Sequence, residues 1–204
     1  MKLPAGLVAL GGLGLCGVLP AQVPPAQGPH EHGVASLDVR VGGDLLELRL
    51  RAPLESLAGL ERAPRTEKQR QAVRSMAATL HGPDALFVPT AAAGCSAGPV
   101  TLRSDVLVPA LLVAPGASPP AAGAPATGPA ATGRVQEARK QAPPAHADLE
   151  AQVSFRCTRP QALNGLQVRL FDVFPALREI RAAIATPRGD SGVRLSPGRT
   201  SLTW

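Results

Sequence analysis

Apolar and polar residues alternate along two adjacent stretches of this chain. In the first, Ala35, Leu37, Val39 and Val41 share one face, with His30, His32, Ser36, Asp38 and Arg40 on the other. Period two is the pattern of a half-buried strand, so a strand is expected from His30 to Val41. Gly42-Gly43 offers a two-residue hairpin turn. On the return, Leu46, Leu48 and Leu50 alternate with Glu47, Arg49 and Arg51. The pattern therefore predicts an antiparallel hairpin with one apolar face.

The period then changes. Pro53 ends the second strand, and Leu54, Leu57 and Leu60 fit a short helical turn. Thr66 is a good N-cap, with Gln69 three residues on as in a capping box. Val73, Met76, Ala77 and Leu80 follow at helical spacing. Gly82-Pro83 stops that helix. A short strand is expected over Ala85 to Val88. Val100 to Val113 reads as mostly extended, with a turn near Ser104-Asp105. From Ala114 to Pro144 the chain turns to proline, alanine, glycine and threonine. Such a segment buries too little apolar surface to offset the cost of ordering it, so a disordered insertion is expected.

Alternation returns at His146. Ala147, Leu149, Ala151, Val153, Phe155 and Cys157 form one face, and His146, Asp148, Glu150, Gln152, Ser154 and Arg156 the other. Pro160 to Phe174 fits one or two helical pieces, which Pro175 ends. Ile180 to Thr186, Val193 to Leu195 and Leu202 to Trp204 read as strands. The sum is an α+β fold: an antiparallel sheet with a few helices on one face, interrupted by a disordered Pro/Ala-rich insertion at 114–144. Neither half alone has more than a few strands, so the insertion lies inside one domain, 30–204.

Composition adds the compartment. Lys2 precedes an apolar stretch from Leu7 to Leu19, followed by Pro20-Ala21. This reads as a signal peptide over 1–21, with a flexible leader at 22–29. The apolar run is short for a transmembrane helix, so no membrane insertion is expected after cleavage. Leu15 stands before Cys16 where a lipoprotein signal carries a small residue, which argues against acylation. Removing the signal leaves Cys95 and Cys157. An even count in an oxidising compartment points to a disulfide, with two buried free thiols as the alternative. The 204 residues carry a net charge of +6. The arginines are scattered, and aromatic side chains for base stacking are nearly absent. The charge therefore reads as a solvated surface, and no nucleic-acid partner is expected.

An ordered series of short motifs then carries a resemblance. His30-Glu31-His32-Gly33-Val34-Ala35 opens the first strand, and Glu61-Arg62-Ala63-Pro64-Arg65-Thr66 precedes the helix. Leu86-Phe87 and Ala93-Gly94-Cys95 follow it. His146-Ala147-Asp148-Leu149-Glu150-Ala151 and Phe155-Arg156-Cys157 begin the second half. Leu170-Phe171-Asp172-Val173-Phe174-Pro175 and Thr186-Pro187-Arg188-Gly189 come last. In this order they resemble the ZrgA-like zinc-regulated periplasmic family. The resemblance implies a periplasmic protein of a Gram-negative bacterium that serves zinc acquisition or homeostasis beside envelope ABC-type transporter components. Members typically carry a histidine- and acid-rich tract in the central insertion. This chain departs from that pattern: its insertion holds no histidine before His146, and its leader keeps only His30 and His32.

His30 and His32 sit two apart, so a strand would point both imidazoles to one side. His146 and Asp148 repeat that spacing. Three histidines and a carboxylate suit zinc, which makes His30, His32, His146 and Asp148 the candidate ligands. Surface histidines on two strands are the plainer alternative. The two pairs converge if their strands run parallel as neighbours, and separate if the strands are antiparallel. His81, at the end of the predicted helix, reads as a helix-terminal residue rather than a ligand. No Gly-x-Ser-x-Gly elbow, phosphate loop or His-Glu-x-x-His helix is present, so no enzyme activity is expected. Two functions stay open: a zinc-binding accessory protein, and a metal-independent interaction module or transporter adaptor. The sequence leaves the oligomeric state open.

Overall fold

A computed structural model describes residues 31–116 and 147–204. The expected signal peptide, leader and most of the insertion lie outside the described residues, as do His30 and His146. The fold is α+β, as the pattern predicts.

The first hairpin pairs β1 (Val34–Gly42) with β2 (Leu45–Pro53). Leu37 and Val39 of β1 and Leu46, Leu48 and Leu50 of β2 are buried, and the charged residues between them face outward. Two details differ from the expectation. The turn is Gly43-Asp44 rather than Gly42-Gly43, with Gly43 at φ +57, a conformation that a β-carbon disfavours. The strand begins at Val34, four residues later than the alternation suggested. Gly33 at φ +80 breaks the extended backbone there, so His32 lies in a turn closed by the Val34 amide donating to the Glu31 carbonyl at 3.0 Å.

β2 runs straight into α1 (Leu54–Ala58) across Pro53. Next comes α2 (Glu67–Leu80). The Gln69 amide donates to Thr66 Oγ1 at 3.2 Å, and the Thr66 amide donates to Gln69 Oε1 at 3.1 Å, which completes the capping box. Val73, Met76, Ala77 and Leu80 are its buried residues. Beyond it, α3 (Pro83–Leu86) replaces the first part of the strand expected at Ala85 to Val88. Pro83 and Asp84 suit a helix start, by a fixed φ and by charge. The strand itself, β3, covers Phe87–Pro89.

β4 (Cys95–Ala97) and β5 (Thr101–Arg103) lie in turn along the edge of the long strand β6 (Asp148–Cys157). Within Pro160 to Phe174, where helical pieces were expected, the structure has a 3₁₀ turn at Pro160–Ala162, a strand β7 (Gly165–Val168) and a short helix α4 (Leu170–Val173). β8 (Glu179–Thr186), β9 (Gly189–Leu195) and β10 (Ser201–Thr203) complete the chain.

The large sheet has the order β4-β6-β2-β1-β8-β9, with β5 also on β6. β10, β7 and β3 form a small second sheet. The expected antiparallel pairing holds except between β1 and β8, which are parallel. The inner face of the large sheet, the apolar stripe of α2 and the small sheet share one core, which includes Leu37, Val39, Leu48, Val73, Met76, Phe87, Phe155, Leu166, Val168 and Ile180. The outer face carries the charges. There Glu150 receives Arg49 at 2.8 Å and Arg51 at 3.1 Å, and Arg181 pairs with Glu179 at 2.7 Å.

Cys95 and Cys157 stand opposite each other on β4 and β6 and are joined by a disulfide. The link fastens a three-residue edge strand to the ten-residue strand that opens the second half of the chain.

Candidate metal centre

β1 and β6 are not neighbours, but both are antiparallel to β2, which lies between them. They therefore run in the same direction, and their first residues lie at the same end of the sheet. The lateral distance is two strand spacings, about 10 Å. The expected condition for convergence is met in direction, though not by direct pairing.

α1 fills the gap at that end. Because it follows β2 without a loop, its first turn sits between the starts of β1 and β6. The Leu54 amide donates to the Ala147 carbonyl at 2.7 Å, which ties α1 to the chain entering β6. On the other side the Gly33 amide donates to Ser56 Oγ at 3.1 Å. Ser56 is the one buried polar side chain among the described residues. Gly33 is held from its far side too, since its carbonyl accepts from the Arg178 amide at 2.8 Å and from the Glu179 amide at 3.1 Å. Glu31 adds an ion pair to Arg181 on β8.

This anchoring places His32 beside Glu55, with Nδ1 3.0 Å from Oε2. An ionised carboxylate only accepts hydrogen bonds, so Nδ1 is the donor, and in the neutral ring Nε2 then carries the lone pair. An open pocket of about 260 Å³ lies here, lined by His32, Pro53, Glu55, Leu60, Glu61, Ala147 and Asp148. Of the four expected ligands, the structure thus brings His32 and Asp148 to one pocket. His30 and His146 lie outside the described residues; each adjoins a described residue in sequence, Glu31 and Ala147.

The pocket also holds two carboxylates that the sequence reading missed, Glu55 and Glu61. A signal for Glu55 existed. With the turn at Gly43-Asp44, β1 and β2 pair Gly42 with Leu45 and Ser36 with Arg51; counting four further steps outward sets Glu55 opposite His32. Placing the turn one residue early sets Pro53 there instead.

The donor chemistry fits zinc, which accepts imidazole nitrogen and carboxylate oxygen. Among the described residues, no three His, Cys, Asp or Glu side chains are grouped closely enough to hold a metal ion. A complete set would therefore draw on His30 or His146, or on movement of these side chains. His81 has a different role. It caps the C-terminus of α2, and its Nε2 donates to the Leu112 carbonyl at 2.8 Å.

Among the described residues, no helix is long and apolar enough to cross a membrane. No curated protein matches the chain. The family model described as ZrgA family zinc uptake protein matches residues 29–204, a span that takes in both strands entering the pocket, α1 between them and the disulfide. On that match the chain belongs to the ZrgA family of zinc uptake proteins.

Proposed function

We propose that this protein is a periplasmic zinc-binding accessory in zinc acquisition or homeostasis, and that the pocket at the start of β1 and β6 is where it holds the ion. One observation carries this reading. In a chain of a zinc uptake family, the fold sets His32 and Asp148, distant in sequence, around one pocket with Glu55 and Glu61. His30 and His146, which precede the two strands in sequence, are the further ligands this reading assigns. The ion is cargo, and the protein needs no catalytic group: it binds and releases zinc beside an envelope transporter of the ABC type. Neutral imidazole is the binding form, so zinc is released as the medium becomes acidic.

The test is calorimetric titration of zinc chloride into the mature protein and into a His30→Ala, His32→Ala double variant. Binding by the first and loss in the second is the expected result. Equal binding by both, or none by either, overturns the site and favours the metal-independent adaptor.

A further inference from the structure

We propose that Glu55 is a positioning residue, which fixes the tautomer and the ring orientation of His32 so that Nε2 is the metal-binding nitrogen. This rests on the zinc reading above and adds a residue with a separate role. A histidine that binds metal through one nitrogen commonly donates its other N–H to a carboxylate, which fixes the ring and raises its basicity. In a neutral histidine side chain without a partner the Nε2–H form predominates slightly, so such a ring tends to offer Nδ1. Here the Nδ1···Oε2 contact of 3.0 Å reverses that preference.

Local structure explains why this glutamate and this histidine meet. Glu55 stands in the first turn of α1, fixed to β2 through Pro53. His32 stands in the turn before β1, fixed by Gly33. The buried Ser56 hydroxyl, next to Glu55 in the chain, accepts from the Gly33 amide, next to His32. One buried hydrogen bond thus holds both partners in register. Glu55 serves His32 through Oε2, the oxygen bonded to the ring, which also lies 3.5 Å from the Ser56 hydroxyl.

The experiment uses the mature protein with ¹⁵N-labelled histidine, at about pH 8 where an ordinary imidazole is neutral. Long-range imidazole correlations report which nitrogen of His32 carries the proton, with no metal present. The expected wild-type result is Nδ1–H. Glu55→Ala should lose that single-tautomer signature, and in the isosteric Glu55→Gln, whose side-chain oxygen still accepts but carries no charge, the signature should weaken. Zinc titration of the same samples should show affinity at least about tenfold weaker for Glu55→Ala. The Nδ1–H signal should persist when zinc is added to the wild type. An Nε2–H tautomer in the metal-free wild type overturns the proposal whatever zinc does. So does loss of the Nδ1 proton on zinc binding, which would make Nδ1 the ligand. An unchanged affinity in Glu55→Ala likewise removes the role. If the wild-type tautomer is Nδ1–H but zinc fails to bind, the metal reading falls, and the positioning role falls with it.

Discussion

Breaking the Cys95–Cys157 bond should cost this protein a large share of its stability. The bond joins residues 62 apart. In the chain-entropy account, closing a loop of that length in the unfolded state removes about 2.1 + 1.5R ln n, or roughly 14 cal/mol/K, which is about 4 kcal/mol at 25 °C. Both cysteines stand opposite each other in the β4–β6 ladder. Each kcal/mol shifts the melting temperature of a chain of this size by about 2–4 °C, so reduction should lower it by about 8–16 °C. Thermal unfolding followed by circular dichroism, with and without reductant, measures this without removing an atom from the core. A Cys95→Ala, Cys157→Ala variant should melt near the reduced wild type and ignore reductant. β4 meets β6 over three residues only, so amide exchange at Ser96 should accelerate in both reduced forms. A drop of less than about 2 °C on complete reduction would refute the reasoning, and would mean that the unfolded chain is already compact across that loop.

Three further outcomes follow from single residues. Burial opposes the ionisation of Glu150, but hydrogen bonds from Arg49, Gln152 and Arg51 together outweigh it and bring its pKa from 4.5 to about 2. A lowered carboxylate contributes stability that is complete above its unfolded value and is lost as pH falls through the folded one. Wild type should therefore lose about 1–2 kcal/mol between pH 5 and 2 that Glu150→Gln does not lose, a figure discounted for the exposed arginines; parallel urea curves would contradict it. In Gly33→Ala the new β-carbon would lie 2.7 Å from Arg178 Nε and 3.0 Å from the Ala176 carbonyl oxygen, at φ +80. The backbone alone costs about 1–2 kcal/mol, and zinc affinity should weaken as the His32 anchor shifts; an unchanged melting temperature argues against it. Thr66→Ala removes the cap of α2 and should lower stability by about 1 kcal/mol in urea, with no change in zinc titration.

Elements whose cause is local could be read directly. The β1–β2 hairpin, β6 and α2 declare themselves through periods of two and 3.6 and through the Thr66–Gln69 box, because the residues that bury each face lie within the element. Errors began where a local signal was ambiguous. Pro83 reads equally as the end of α2 and as the start of α3. Leu163, Leu166 and Leu170 carry a helical spacing, yet Gly165–Val168 is a strand because β3 and β10 stand on either side of it. Neither partner is near in sequence, so nothing local announces the pairing.

The sequence by itself determined which residues of the main strands and of α2 face inward and that the fold is α+β, and it offered His30, His32, His146 and Asp148 as candidate ligands. Tertiary structure alone decided what meets what. Putting β2 between β1 and β6 makes those two strands parallel, brings His32 and Asp148 to one end of the sheet, and inserts Glu55 between them. Periodicity assigns a side chain to a face, whereas strand order is settled by how whole faces share one core. That choice involves contacts between residues far apart in the chain, such as Arg51 with Glu150, 99 positions away, and no local pattern encodes it.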